Sequence, residues 1–231
     1  MSLLLKKEES TYSYALWRME ESASALAAML PSAMDCPSVA ESRRREFYAI
    51  RVLIRQFGID PGLLAHYPSG RPFLQDSDWH LSLSHCRDYA VVLLSREYRH
   101  IGVDIEAVSE RMLTVSPRFL QEREQAQIEA LASDRAGHLR LLGCYWSGKE
   151  AMFKALCDEP ETYLQDLYIE TSPEAYSQVL SLQGSAQAEQ ADWQQGLGAD
   201  LELKGHYRQQ TFHLSYRLWA GHVLCFCRGR D

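Results

Sequence analysis

The sequence lacks three features that would each place it in a particular class of protein. It has no stretch of the ~20 apolar residues that a membrane-spanning helix needs. It has no excess of positive charge, because 24 Lys and Arg against 31 Asp and Glu give a net charge of −7, and this disfavours non-specific binding of nucleic acid. It also has no C-x-x-C pair among its six cysteines, which favours reduced thiols and a cytoplasmic protein. The opening MSLLLKKEES places its charges after the leucines, so we expect no signal peptide.

Apolar periodicity predicts strands and helices along the first half of the chain. Period-two alternation predicts a strand over residues 11–17, and an Ala-rich run predicts a helix over residues 21–30. A second helix is expected to begin with a capping box formed by Ser38 and Glu41 and to end at Gly58.

The rest of the chain has four groups of predicted elements. These are strands over 81–83, 89–94 and 101–106 in a meander, helices over 117–132 and 135–157, a surface loop over 181–198, and strands over 201–203, 211–219 and 222–227. Because the order of elements is similar in both halves, the sequence predicts an α+β chain of two comparable lobes.

The second predicted helix carries a local cluster of positive charge. Five arginines lie off its apolar face: Arg43, Arg44, Arg45, Arg51 and Arg55. In a chain that is acidic overall, such a cluster can hold one small anion even though it cannot hold a nucleic acid.

The segment Gly102-Val103-Asp104-Ile105-Glu106 places two carboxylates on one face of a strand, because alternate side chains share a face. An ordinary solvated strand face would explain this pattern. The alternative is a site for a hard cation such as Mg²⁺, which takes carboxylate and phosphate oxygens as ligands.

The segment from Trp146 to Lys154, WSGKEAMFK, places Trp146, Glu150 and Lys154 in one stripe of a helix. An i,i+4 ion pair between Glu150 and Lys154 would by itself be an ordinary surface feature. A glycine inside a helix costs about 1 kcal/mol relative to alanine, so Gly148 indicates a close approach to the backbone.

Three further groups of residues have alternative interpretations. Ser84 and His85 invite a hydrolase hypothesis, but neighbouring strand residues point apart and no G-x-S-x-G elbow is present. As donors at a strand end they suit a phosphate better. Gly70-Arg71-Pro72 indicates a turn. His222, Cys225 and Cys227 could suggest zinc, but an apolar strand favours buried thiols.

In this order the segments resemble the 4′-phosphopantetheinyl transferases, of the monomeric kind that modifies fatty acid, polyketide and nonribosomal peptide synthases. The resemblance rests on the arginine-rich helix and on Gly70-Arg71-Pro72, Ser82-Leu83-Ser84-His85, Ile101 to Glu106 and Trp146 to Lys154. It implies two pseudo-symmetric α/β lobes, residues 1–107 and 108–231, each a small, mostly antiparallel sheet packed with helices. The active site would lie in the cleft between them.

The resemblance also implies a reaction. A serine of an apo acyl or peptidyl carrier protein would attack the pyrophosphate of coenzyme A, and 3′,5′-ADP would leave. Asp104, Glu106 and Glu150 would hold Mg²⁺, and Lys154 would contact the phosphates with help from Lys149. The serine proton would pass to Glu150 or to a water molecule that it polarises.

The remaining site residues are also assigned by resemblance. Ser84 and His85, with Arg44, Arg45 and Arg51, would hold the 3′-phosphate of coenzyme A, since the planar guanidinium can bond one phosphate twice. Arg71 and Pro72 would frame the adenine and a nearby phosphate. A site complete within one chain favours a monomer.

Two other functions stay open at this stage. One is a module that binds coenzyme A or a nucleotide without catalysis. The other is a hydrolase that uses Ser84 and His85.

Overall fold

A computed structural model describes residues 2–31, 34–132, 134–156, 162–181, 201–219 and 221–229. The chain divides into two compact units, Met1–Tyr98 and Arg99–Asp231. Cys157 and residues 182–198 of the predicted surface loop lie outside the described residues. Within the described residues, no helix has both the length and the apolarity needed to cross a membrane.

The first unit is a four-stranded antiparallel sheet with two helices and a small hairpin. Its elements are β1 (Leu3–Glu8), β2 (Tyr12–Arg18), α1 (Ala23–Ala28), α2 (Glu41–Arg55), β3 (Leu64–His66), β4 (Pro72–Leu74), β5 (His80–His85) and β6 (Tyr89–Ser95). The sheet order is β1-β2-β6-β5, and β3 pairs with β4. The predicted strands at 11–17, 81–83 and 89–94 are confirmed, as is the helix that ends before Gly58.

Helix α2 packs its apolar stripe into the core of this unit. Ile50 and Ile54 are buried, as the periodicity predicts. The predicted capping box at Ser38 is wrong, because the N-cap residue is Ala40 and makes no side-chain cap. The carboxylate of Glu41 instead accepts a hydrogen bond from the N–H of Ala23, 2.7 Å away, at the start of α1.

The second unit is a five-stranded antiparallel sheet packed against a long helix. Its elements are β7 (Ile101–Ala107), α3 (Arg111–Val115), α4 (Glu122–Leu131), α5 (Arg135–Ala155), β8 (Tyr168–Glu170), α6 (Pro173–Ser181), β9 (Leu201–Tyr207), β10 (Gln210–Trp219) and β11 (His222–Gly229). The sheet order is β7-β11-β10-β9-β8. Each unit is thus a small antiparallel sheet packed with helices, which confirms the α+β class; the lobe boundary at residue 107 stays a prediction.

Two details of this unit differ from the prediction. The third strand of the predicted meander does not pair with its predecessor. Strand β7 pairs with β11 instead, from Ile101 opposite Arg228 to Ala107 opposite His222. Residues Ser116–Arg118 form a 3₁₀ turn rather than the start of a helix, since Phe119 then leaves helical backbone angles and buries its ring.

Candidate active site

Helix α5 lies directly on the face of β7 that carries Asp104. A Cβ atom added to Gly102 would lie 1.8 Å from the carbonyl oxygen of Ala151, so the strand and helix backbones touch at this point. Asp104 is consequently only 5% exposed. A solvated strand face is therefore the wrong interpretation for Asp104, because α5 covers that face.

Gly148, inside α5, is also a point of close approach. A Cβ atom at this position would lie 2.0 Å from the hydroxyl oxygen of Tyr216 on β10. This explains the helix-interior glycine that the sequence analysis noted. The absence of a side chain at Gly148 lets α5 pack closely against the sheet. Lys149 and Glu150 follow directly after this contact.

Both oxygens of the Asp104 carboxylate accept hydrogen bonds from α5. Ser147 donates to Oδ2 at 2.7 Å, and the ammonium of Lys154 donates to Oδ1 at 2.8 Å. Lys154 also donates to the carbonyl of Val103 at 3.0 Å. The strand motif and the helix motif, about 45 residues apart in sequence, thus meet at Asp104.

The electrostatics of the carboxylates show that they interact. Burial, followed by the charge of Asp104, raises the pKa of Glu150 to about 7, while Lys154 opposes the change and Glu106 adds to it. Burial and Asp104 also raise the pKa of Glu106 above its ordinary value. Burial disfavours the charged form of a carboxylate, and the negative charge of a neighbouring carboxylate does the same.

These residues fit a hard divalent cation in their chemistry. Among the described residues, no three His, Cys, Asp or Glu side chains are close enough to make a preformed metal centre. Carboxylate oxygens are nevertheless the ligands such a cation prefers, and a cation would offset the burial and the repulsion that raise the pKa of Glu106 and Glu150. Asp104 already contacts one positive group, the ammonium of Lys154.

Lys149 lies on a different side of α5, in the interior of the unit. Its ammonium contacts Glu124 of α4 at 2.5 Å and the carbonyl of Phe119 at 2.7 Å, and both charged side chains are 0% exposed. Glu124 also accepts from the N–H of Gln121 and of Ile169. The structure therefore gives Lys149 a buried structural partner, and its assistance at a phosphate stays a prediction.

In the first unit, the three arginines predicted to bind phosphate have different surroundings. Arg44 is partly exposed and 4.0 Å from Glu41. Arg45 donates to the carbonyl of Met19. Arg51 donates to the carbonyl of Phe47 and stacks on its ring at 3.4 Å, and burial lowers its pKa.

His85 lies beside α2, close to an arginine that the sequence analysis did not select. Its Nδ1 is 3.8 Å from Oε2 of Glu46, and Arg43 donates to the same oxygen at 2.8 Å. The guanidinium of Arg43 and the ring of His85 therefore both lie near this carboxylate. The only sequence feature that could have pointed to Arg43 was its i,i+3 spacing from Glu46. That spacing is equally typical of an ordinary ion pair on a helix surface.

Ser84 precedes His85 on β5 and is buried, whereas His85 is half-buried. As adjacent strand residues, they point to opposite faces, which disfavours a serine nucleophile activated by this histidine. In the β3–β4 hairpin, Gly70 has φ +85°, and the following residues Arg71 and Pro72 are half-buried. The predicted turn is confirmed.

The C-terminal strand carries buried thiols. Cys225 and Cys227 are 0% exposed, and burial raises the pKa of both. The described residues contain no group of three His, Cys, Asp or Glu side chains that could bind zinc here. The predicted burial of these two thiols is confirmed.

Residues 100–208 match the family described as the 4′-phosphopantetheinyl transferase superfamily. The matched range contains the strand and helix motifs that meet at Asp104, whereas the glycine-arginine-proline and serine-histidine motifs precede it. No curated protein sequence matches the chain. The family recognised from the motifs is confirmed over this range, whereas the monomeric subtype stays a prediction.

Proposed function

We propose that the protein transfers the 4′-phosphopantetheine arm of coenzyme A to a serine of an apo acyl or peptidyl carrier protein. The observation that carries this proposal is the convergence, inside the range that matches the superfamily, of Asp104 with Ser147 and Lys154 of α5. In the transfer, a bond forms between the serine oxygen and the phosphorus that bears pantetheine. The bond from that phosphorus to the leaving 3′,5′-ADP breaks.

Asp104, Glu106 and Glu150 would hold Mg²⁺ in this reaction. When bound, such an ion offsets the negative charge of the pyrophosphate and of the leaving group. The support from this chain is that burial and the neighbouring carboxylates raise the pKa of Glu106 above its ordinary value and the pKa of Glu150 to about 7. The two residues with a raised pKa, Glu106 and Glu150, are those on which a cation would act most strongly.

The serine proton needs an acceptor, and the resemblance assigns this role to Glu150. The acceptor is Glu150 itself or a water molecule that it polarises. Lys154, whose ammonium reaches Oδ1 of Asp104, would contact the pyrophosphate oxygens from the same end of α5.

The 3′-phosphate of coenzyme A would be held by residues of the first unit. His85 and Ser84 supply donors on β5, and Arg44, Arg45 and Arg51 supply guanidinium groups on α2. Arg43 joins this set because its guanidinium and the ring of His85 both lie close to Oε2 of Glu46. Arg71 and Pro72 would frame the adenine.

The test is a mass measurement on the carrier. The protein is incubated with coenzyme A, Mg²⁺ and each of several apo carrier domains, and mass spectrometry records the intact carrier. We expect the mass to rise by one phosphopantetheine in at least one carrier and to stay unchanged with a chelator in place of Mg²⁺. Binding of coenzyme A without any mass increase across the carriers would overturn the proposal.

The oligomeric state is part of the proposal. We propose that the monomer is active, as the resemblance to the monomeric transferases implies. Sedimentation of the active protein tests this, and activity found only in a dimer fraction would contradict it.

A further inference from the structure

Ser147 is a fully buried serine in the middle of α5 that has no role in the proposed chemistry so far. Its side chain is 0% exposed. Its hydroxyl donates to Oδ2 of Asp104 at 2.7 Å, and the carbonyl oxygen of Val223 on β11 lies farther away at 3.5 Å. The shorter distance identifies the carboxylate as its main acceptor.

This bond is unusual for a serine inside a helix. Such a hydroxyl commonly bonds to a carbonyl oxygen one turn back along its own helix. Ser147 instead reaches across to a carboxylate on β7, which is 43 residues earlier in the chain. A hydrogen bond to a charged acceptor is stronger than one to a carbonyl, so it fixes the acceptor's orientation more firmly.

The two oxygens of Asp104 consequently have different surroundings. Oδ2 faces the buried hydroxyl of Ser147, whereas Oδ1 faces the ammonium of Lys154, whose side chain is 26% exposed. Rotating the carboxylate would exchange the two oxygens, and the bond to Ser147 opposes that rotation. Oδ1 is therefore the oxygen held toward a positive group.

We propose that Ser147 is a positioning residue that orients Asp104 so that Oδ1 faces the divalent cation. This inference rests on the proposed function, because it takes Asp104 as a ligand of that cation. Groups that hydrogen-bond to a metal ligand commonly change metal affinity by about 10- to 100-fold when they are removed. Ser147 has the burial and the bond length of such a group.

The test measures Mn²⁺ binding by isothermal titration calorimetry on the full chain, without coenzyme A or carrier. We expect Ser147→Ala to raise the Kd for Mn²⁺ by about tenfold or more. Ser147→Thr keeps a hydroxyl and should restore most of the affinity. In the transfer reaction, the half-saturating Mg²⁺ concentration should rise in Ser147→Ala, while the KM for coenzyme A at saturating Mg²⁺ stays near that of the wild type.

Ser95→Ala is the matched control. Ser95 is also 0% exposed, and its hydroxyl donates to the carbonyl of Thr11 at 2.7 Å in the first unit. Its removal costs this buried hydrogen bond, and two that the hydroxyl accepts from the N–H groups of Glu97 and Tyr98, without touching Asp104. The Kd for Mn²⁺ should therefore stay unchanged. An equal weakening in the Ser95 and Ser147 variants would overturn the inference, because it would show a general loss of structure.

Glu150→Gln separates the inference from the proposed function. If Glu150→Gln weakens Mn²⁺ binding and Ser147→Ala does not, the role of Ser147 is overturned and the metal assignment stands. If neither substitution changes Mn²⁺ binding, the metal assignment itself fails, and the role of Ser147 fails with it.

Discussion

Helices α2 and α5 each pack one face on an antiparallel sheet, yet they place their charged side chains differently. On α2, Arg43 bonds to Glu46 three residues later, and the arginine is exposed. On α5, Lys154 bonds to Asp104, 50 residues earlier in the chain, and Lys149 is fully buried in a second ion pair. The charged side chains of α2 are exposed or half-buried, whereas Lys149 of α5 is fully enclosed in its unit.

This difference shows which charged residues depend on a specific partner. An exposed i,i+3 ion pair contributes little to the free energy of unfolding and constrains the side chains around it little. A buried charge needs a partner, because leaving it unpaired costs several kcal/mol. The buried and half-buried charges of α5, Lys149 and Lys154, therefore identify residues whose partners, Glu124 and Asp104, are fixed by the fold.

The largest expected effect comes from breaking the buried pair on α5. Lys149→Met leaves Glu124 charged and fully buried without its ammonium, and we expect a loss of about 3–5 kcal/mol in the free energy of unfolding, measured by urea denaturation. The double variant with Glu124→Gln should recover part of the loss. A single variant as stable as the wild type would show that the interior of this unit does not depend on the pair.

The next effect concerns the contact of α5 with β7. Gly102→Ala puts a Cβ atom against the carbonyl of Ala151, so the helix or the strand must move, at a cost of about 3 kcal/mol. The control is Gly62→Ala in the first unit, where the nearest atom is a side-chain oxygen of Asp60 at 3.2 Å. Similar unfolding midpoints for the two variants would contradict the close backbone contact.

Much of this arrangement could be predicted from sequence, and the rest depends on tertiary structure. Period-two and period-3.6 patterns identified β2, β5, β6, β7, α2 and α5, and the carboxylate spacing identified Asp104. No local pattern could show that β7 pairs with β11 or that α5 covers the carboxylate face, because both depend on residues far apart in the chain. The burial of Lys149 was missed for the same reason, since Glu124 lies on another helix.

The third prediction addresses the arginines of α2. Dephospho-coenzyme A lacks the 3′-phosphate, so the ratio of kcat/KM for coenzyme A to that for dephospho-coenzyme A measures recognition of that group. We expect Arg43→Ala and Arg51→Ala to lower this ratio by about tenfold, as for the loss of one hydrogen bond to a charged group.

Arg55→Ala serves as the control for these variants. Arg55 lies on the same helix and donates to the carbonyl of Met29. In Arg55→Ala, the ratio of kcat/KM for coenzyme A to that for dephospho-coenzyme A should stay near the wild-type value. An unchanged ratio in all three variants would remove α2 from the coenzyme A site.

The smallest expected effect is on stability at the surface of α2. Replacing Arg43 by Met breaks its exposed pair with Glu46 and should change the free energy of unfolding by about 0–1 kcal/mol. The measurement is the same urea titration as for Lys149→Met. A loss as large as that of the buried pair would end the distinction between the two helices.

The most direct test of the central claim is the mass-shift assay with Glu150→Gln. The variant keeps the size of the side chain and removes only its charge, and circular dichroism checks that it folds. We predict that the wild type adds one phosphopantetheine to an apo carrier in Mg²⁺ and that the folded variant adds none within the same time. Full turnover by the folded variant would contradict the account.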